Sequence, residues 1–162
     1  MKELSLKILE ILQHDARVTA SEIAVMLSES KSEVAKAVSE LEKSGVILKY
    51  GVIVDEEKLD KDSVQALIEV KVAPKSEKGF DEIAADIGKF EEVKSLYLMS
   101  GAYDLCIIIE GRTLREVALF VSEKLSRFDA VLSTATHFIL KKYKIDGASI
   151  ADGNLKRLVI QP

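Results

Sequence analysis

Apolar side chains recur at helical spacing three times near the start of the chain. Leu4, Ile8, Ile11 and Leu12 follow the i, i+4, i+7, i+8 spacing of a helix that is buried on one side. Two further groups keep the same rhythm: Ile23, Ala24 and Leu27, and then Val34, Val38 and Leu41. The pattern predicts three helices packed around one small core.

The second and third of these helices carry the start signals of a helix-turn-helix. Thr19 stands three residues before Glu22, and Ser30 stands three residues before Glu33, which is the spacing of a capping box. Only two residues separate the helices, and the third helix meets a stop signal at Gly45. Two capped helices joined by so short a turn predict a helix-turn-helix, whose second helix usually lies in the DNA major groove.

An extended stretch and then a charged stretch follow the three helices. Residues 46–54 alternate in side-chain character and predict a small strand or wing. Residues 55–62 are dense in charge and are the expected linker. We therefore expect a winged helix-turn-helix domain over residues 1–60.

The rest of the chain alternates strand and helix patterns. Strands are predicted at residues 64–72, 93–99, 103–109 and 131–142, with helices at residues 80–87 and 114–125. This order, βαββαβ with a hairpin in the middle, is the ferredoxin-like arrangement. The expected fold class is α+β, with the second domain over residues 61–146. A tail, residues 147–162, contains a candidate edge strand at 158–160.

Two of the predicted strands are apolar on both faces. In residues 103–109, Leu105 and Ile107 point one way, whereas Cys106 and Ile108 point the other way, and residues 131–142 are similar. Two helices cover only one face of a sheet, and a solvated second face should alternate with polar residues. The spare apolar face predicts a dimer with a second copy of the chain.

Composition narrows the class of protein. The chain has 162 residues, of which 48% are hydrophobic and 31% charged, as in an ordinary globular protein. No apolar run approaches the roughly 18 residues of a membrane span, and no signal-peptide pattern is present. The single cysteine, Cys106, fits a reducing compartment, so we expect a cytoplasmic protein. His14, His137 and Cys106 lie far apart in sequence, which argues against a metal site.

The net charge of −4 at first argues against binding to DNA. Residues 1–60 alone hold 8 Lys or Arg and 12 Asp or Glu, whereas nucleic-acid binders usually carry a basic patch. The third helix nevertheless has an acid-free exposed ridge opposite its apolar side. At about 100° per residue, five side chains fall within about 60° of one direction: Ser32, Ala35, Lys36, Ser39 and Lys43.

These side chains suit contacts with DNA. Ser and Lys contact phosphates or base edges, and small side chains let a helix approach the groove. Lys31 near the helix start and Lys49 in the wing are further candidates for backbone contacts, and Ser30 is the expected cap. The alternative is an ordinary surface helix whose Lys and Glu only keep it solvated.

The chain resembles the Lrp/AsnC family, the leucine-responsive or feast/famine transcription regulators, over residues 3–146. The resemblance rests on the order of four motifs: Leu4-x-Leu6-Lys7-Ile8-Leu9-x-x-Leu12; Ser30-x-x-x-Val34 with Val38-x-x-Leu41-Glu42-x-x-Gly45-Val46-Ile47; Ser100-Gly101-Ala102-Tyr103-Asp104; and Thr134-x-Thr136. It implies a winged helix-turn-helix joined to a βαββαβ domain that senses an amino acid or a related molecule. It also implies pairing through the sheets and assembly up to octamers.

The resemblance further implies an effector site between subunits. The matching positions are Met99, Ser100, Gly101, Ala102, Tyr103 and Asp104, with Thr134 and Thr136. Asp104 can accept from an ammonium group, and threonine hydroxyls can donate to a carboxylate. The alternative interpretation is a Ser-Gly-Ala hairpin turn whose adjoining aspartate bonds the local backbone.

One departure from the family keeps a second function open. The helix that should read DNA holds Ala35, Lys36 and Ala37 where relatives are richer in arginine, so DNA binding is expected to rely on several dimers acting together. An oligomeric sensor with weak or lost DNA binding is the alternative. Some relatives of this architecture are tetrapyrrole decarboxylases, but the sequence shows no nucleophile–base pair, metal cluster or phosphate loop. We therefore expect neither an enzyme nor a cofactor.

Overall fold

The computed structural model describes residues 3–59, 63–73 and 79–150 of the chain. The chain divides into two compact units between Val54 and Asp55. No helix in the described ranges is long and apolar enough to cross a membrane.

The first unit is a three-helix domain. Its helices are α1 (Glu3–His14), α2 (Ala20–Leu27) and α3 (Lys31–Lys43), as the apolar spacing predicts. They meet around six buried side chains: Ile8, Ile23, Ala24, Val34, Ala37 and Leu41. Each helix thus buries one face, and the opposite face of α3 stays exposed to solvent.

Both predicted capping boxes are present. The Glu22 N–H donates to Thr19 Oγ1 (3.3 Å), and the Thr19 N–H donates to Glu22 Oε2 (2.7 Å). At α3 the Glu33 N–H donates to Ser30 Oγ (3.1 Å), and the Ser30 N–H donates to Glu33 Oε2 (3.4 Å). Between the helices, Ser28 adopts φ 55°, a left-handed turn conformation, which reverses the chain in two residues.

The stretch after α3 differs from the expected wing strand. Gly45 takes φ +72° and ends the helix, and residues 48–55 then form neither helix nor strand. The physical reason is that an extended segment needs a neighbouring strand for its N–H and C=O groups. Leu48 and Val52 are 88% and 83% exposed, so these two apolar side chains are largely uncovered.

The second unit is built on a four-stranded antiparallel sheet. The strands are β1 (Val64–Val72), β2 (Val93–Leu98), β3 (Leu105–Gly111) and β4 (Val131–Phe138), and their order across the sheet is β2-β3-β1-β4. This is the ferredoxin-like order that the sequence predicts. Helices α4 (Gly79–Ile87) and α5 (Leu114–Leu119) supply Ile87 and Val117 to a core on one sheet face.

The sheet face away from the helices is more mixed than expected. Leu67, Ile108 and Cys106 share it with the polar side chains of Glu69 and His137. The expected strand at 103–109 begins later, at Leu105, and the expected strand at 131–142 ends at Phe138. The pairing of β1 with β4 shifts between Lys71 and Val72, and this irregularity disrupts the simple alternation of β4. The sequence pattern therefore overstated how apolar the spare face is.

The predicted second helix is a composite. After α5 the chain continues as a π-helical turn at Phe120–Lys124 and a 3₁₀ turn at Leu125–Arg127. This turn lies against Phe90, whose ring meets the Phe120 ring edge to face at a centroid separation of 5.6 Å. The Lys124 ammonium pairs with Glu92 beside these rings.

The boundary between the units falls earlier than the expected position near residue 60. A 3₁₀ turn at Glu56–Lys58 belongs to the second unit, because Glu56 Oε2 accepts from Lys142 Nζ at 2.5 Å and from Gln65 Nε2 at 3.4 Å. After β4 a small hairpin pairs β5 (Lys144–Ile145) with β6 (Ala148–Ser149). The candidate edge strand at 158–160 lies outside the described residues.

Candidate DNA-binding surface and ligand-binding loop

The exposed ridge of α3 is open to solvent along most of its length. Ser32, Ala35, Lys36 and Lys43 are exposed, and Ser39 is half-buried. The apolar residues on the opposite side of α3 are those that close the first unit's core. The helix therefore presents its small and basic side chains outward, in the orientation that binding to DNA needs.

The other three predicted DNA-binding residues lie outside this ridge in the same unit. Ser30 is the N-cap, and its hydroxyl also donates to Glu33 Oε2 at 2.7 Å. Lys31 is the first residue of α3 and is exposed. Lys49 is exposed in the extended stretch after α3. All three thus lie in the first unit and are accessible from solvent.

Two acidic side chains next to the exposed ridge are already engaged. Glu33 accepts from Ser30 in the capping box, and Glu42 Oε1 accepts from the Tyr50 hydroxyl at 3.0 Å. Partial burial, followed by this hydrogen bond to Glu42, raises the pKa of Tyr50, so the phenol keeps its proton and remains a donor. Tyr50 is a contact that the sequence analysis missed, because a tyrosine eight residues after a glutamate carries no recognisable signal.

The loop between β2 and β3 is closed by backbone and side-chain hydrogen bonds. The Met99 N–H donates to the Asp104 carbonyl (2.8 Å), and the Asp104 N–H donates to the Val70 carbonyl (3.0 Å). The Asp104 carboxylate accepts from the Val72 N–H at 2.9 Å, at the position where the pairing of β1 with β4 shifts. Asp104 therefore stabilises the sheet. This is a structural role of the kind given by the hairpin-turn alternative, except that the bonded backbone group, on Val72, is distant in sequence.

Most of the remaining loop positions are exposed to solvent. Met99, Ser100, Gly101 and Ala102 are exposed, and Tyr103 is half-buried. A Cβ atom built on Gly101 would meet no atom within 4 Å, so the backbone there is open to an approaching group. The loop thus offers an exposed backbone around Gly101 and one anchored carboxylate.

The two predicted threonines lie on the other side of β1. Thr134 pairs across the strands with Val70, and Thr136 pairs with Ile68, so both share one face of β4 as predicted, and it is the face that the helices cover. The 99–104 loop leads into β3, and two strand spacings, about 10 Å, separate β3 from β4. Within a single chain, the loop and the threonines therefore belong to the same sheet but not to neighbouring strands.

Three cavities of the second unit are lined by residues outside the predicted effector site. Their volumes are about 350, 640 and 230 Å³, and none is lined by the 99–104 loop or by the two threonines. The largest is an open space among mixed charges that include Glu92, Arg112 and Lys124. Among the described residues, no three His, Cys, Asp or Glu side chains are arranged to hold a metal ion.

The sheet face away from the helices combines one histidine–glutamate contact with apolar side chains. His137 Nε2 lies 3.5 Å from Glu69 Oε1, on the face opposite Thr136 as expected. Cys106 is 6% exposed, and its burial raises the pKa of its thiol, to which the Glu69 carboxylate adds. Tyr97 is 53% exposed at the edge of this face. Cys106 is thus a small, protonated packing residue.

Comparison with known families assigns both units. Residues 65–149 match the family described as Lrp/AsnC ligand binding domain. Residues 1–47 match the family described as winged helix-turn-helix DNA-binding. The two matches fall on the two units in the order that the sequence predicts.

Similar proteins match most or all of the length of the chain. The chain is 47% identical over 164 residues to the HTH-type transcriptional regulator YugG of Bacillus subtilis, covering 100% of this chain and 99% of that protein. It is 36% identical over 137 residues to the HTH-type transcriptional regulator LrpA of Pyrococcus horikoshii, covering 85% of this chain and 94% of that protein.

Solved structures share the fold. A transcriptional regulator of Neisseria meningitidis, determined as a complex with L-Met, has a TM-score of 0.69 at 24% identity and covers 93% of this chain and 97% of its own. AsnC of Escherichia coli has a TM-score of 0.66 at 23% identity, with coverages of 90% and 95%.

Proposed function

We propose, for a chain that belongs to the Lrp/AsnC family of transcription regulators, that the exposed ridge of α3 reads DNA and that the 99–104 loop binds an amino acid between subunits. The chain is a helix-turn-helix regulator with a ligand-binding domain. The proposal concerns which residues perform these two tasks.

One observation carries the DNA-binding proposal: the outward side of α3 is small and basic, although residues 1–54 as a whole have no basic excess, with seven Lys or Arg and eight Asp or Glu. Ser32, Ala35 and Lys36 are exposed in the first two turns, where recognition helices meet base edges. Lys31, Lys43 and Lys49 are proposed to contact phosphates, because lysine interacts with phosphate as a point charge.

The proposed effector is an amino acid or a related small molecule rather than a bound cofactor. An ammonium group would pair with the Asp104 carboxylate, and a carboxylate would accept from threonine hydroxyls and from loop N–H groups near Gly101. Within one chain β1 separates the loop from the threonines, which lie on the helix-side face of the sheet with Ile68 and Val70. This supports a site that is completed by a subunit other than the copy proposed to cover the opposite face. The L-Met complex of the Neisseria meningitidis relative is consistent with this ligand class.

The same reasoning supports self-association. Leu67, Ile108 and Tyr97 lie on the sheet face that the helices leave uncovered. We propose that a second copy covers this face and that dimers assemble further, as is typical of the family. The relatives come from bacteria and archaea, whose DNA lies in the cytoplasm, and the cytoplasm is the proposed location.

A second candidate function is a ligand-binding oligomer with weak DNA binding. The observation that favours it is the absence of arginine from α3, within a unit that carries no excess of basic residues. An enzymatic activity is not proposed, because the relatives are named as transcription regulators.

A fluorescence anisotropy titration on the DNA upstream of the protein's own gene separates the two candidates. Lys36→Glu should lower DNA affinity by about tenfold or more, and the wild-type affinity should fall with salt at a log–log slope near −0.9 for each phosphate contacted. Lys89→Glu makes the same charge change in the second unit and is the matched control. This variant should bind DNA with the affinity of the wild-type protein. No binding by wild-type protein at low salt would favour the weak-binding alternative.

A further inference from the structure

The first two turns of α3 offer few side chains to a base edge. Val34 and Ala37 are buried in the core of the first unit, whereas Lys31, Ser32, Glu33, Ala35 and Lys36 are exposed. In a helix-turn-helix, the N-terminal residues of the second helix are those that meet base edges. The chemistry of these exposed side chains therefore limits which bases this protein can distinguish.

Two of the five exposed residues have other roles. Glu33 Oε2 accepts from the Ser30 hydroxyl at 2.7 Å and from the Ser30 N–H, so this carboxylate is held at the helix cap. Lys31 is the first residue of α3, and its ammonium group suits a phosphate at the groove edge. Ser32, Ala35 and Lys36 remain, and their i, i+3, i+4 spacing places them on one side of the helix.

Each remaining side chain matches a specific feature of the major groove. The alanine methyl group makes only apolar contacts, and the thymine C5-methyl group is the apolar feature of the major groove. Lysine pairs with guanine O6 and N7, and serine accepts or donates to any base. No Asn or Gln is present in the first two turns of α3 to pair with adenine. The one carboxylate there, the group that would accept from cytosine, belongs to Glu33 and is held in the capping box.

We propose that this protein reads its operator through a thymine methyl group contacted by Ala35 and a guanine edge contacted by Lys36. Ala35 is thus a specificity-determining residue, although it carries no polar group. This inference rests on the proposed role of α3 in binding DNA and names the base pairs that the helix selects.

Replacing thymine by uracil in the operator tests the thymine contact. This change deletes the C5-methyl group and leaves every hydrogen-bonding group of the base in place. The probe is a duplex selected by the full-length protein from a random-sequence pool, with one thymine at a time replaced. Affinity should fall about fourfold at each contacted thymine, the equivalent of ~0.8 kcal/mol for one buried carbon group.

A glycine variant tests whether Ala35 is the residue that contacts the thymine methyl group. Ala35→Gly should bind the thymine and uracil duplexes equally at the sensitive position. The ratio of the two affinities is unaffected by any general loss of helix stability. Ala85→Gly, the same change at an exposed position of α4, is the matched control and should keep the fourfold ratio.

The possible results separate this inference from the proposed function. Site-selective binding that is insensitive to uracil at every position would overturn the role of Ala35 and leave α3 as a DNA-binding helix. A fourfold ratio that persists in Ala35→Gly would assign the methyl contact to another residue and overturn the inference as well. Absence of any selected duplex would overturn both proposals.

Discussion

Asp104 shows how one side chain can connect the fold and the proposed site. Its carboxylate accepts from the Val72 N–H at 2.9 Å, and its own N–H and C=O bond Val70 and Met99. Val72 is buried at an irregular point of β1, where a backbone donor needs a partner. The same half-buried carboxylate retains a second oxygen, which is proposed to accept from an effector's ammonium group.

Two substitutions at Asp104 should separate these roles. Asp104→Ala removes the acceptor and should lower the free energy of unfolding by about 1–3 kcal/mol, because the Val72 donor loses its partner. Asp104→Asn keeps an acceptor oxygen, so stability should be largely retained while the charge that attracts the ammonium group is lost. Thermal shifts with single amino acids, measured for both variants, would check this.

Asp81→Asn is the matched control for Asp104→Asn, because Asp81 is exposed in the first turn of α4. It should keep the ligand-induced shift of the wild-type protein. If Asp104→Asn also keeps that shift, the carboxylate is a structural residue alone and the effector binds elsewhere.

At the scale of elements, α3 depends on a cap that is visible in the sequence. Ser30 and Glu33 satisfy each other's backbone N–H groups at the helix start. The exposed side chains of the first two turns hold their positions only if that turn stays helical. The cap is therefore a condition both for stability of the first unit and for the proposed contacts with DNA.

Removal of this cap should have a measurable cost. Ser30→Ala should lower the free energy of unfolding of the first unit by about 0.5–2 kcal/mol, since an N-cap hydroxyl is lost. Ser32→Ala, two residues further along the same exposed turn, should change stability by less than about 0.5 kcal/mol. Chemical denaturation followed by far-ultraviolet circular dichroism would compare the two. Equal stability in both variants would contradict the importance of the cap.

The elements that sequence could predict are those governed by local interactions. The helices of the first unit follow from apolar spacing and from caps whose partners lie three residues apart, and the strand order follows from the sequence of strand and helix patterns. Residues 46–54 form no paired strand in the described structure, because pairing needs a neighbour that no local pattern reveals. The bond from Asp104 to Val72 also escaped prediction, because it joins residues 32 positions apart.

At the scale of the whole molecule, DNA affinity is expected to depend on assembly. α3 has no arginine, so one helix-turn-helix makes few strong contacts with the groove. Two such domains held in one particle bind with a high effective concentration, which multiplies affinity without any new contact. The sheet face that carries Tyr97 and Ile108 is the surface proposed to join the two copies.

Tyr97→Lys should therefore weaken both assembly and DNA binding. Tyr97 is 53% exposed at the edge strand β2, so a lysine there should fold normally but place a charge in the proposed interface. Sedimentation velocity should show monomers, and affinity for a two-half-site duplex should fall by about 10²-fold or more. Leu114→Lys, an exposed apolar position at the start of α5, should leave both properties unchanged. The Tyr97→Lys monomers could instead bind DNA as tightly as the wild-type protein. That result would show that one DNA-binding domain suffices, and that the few contacts of α3 are stronger than their chemistry indicates.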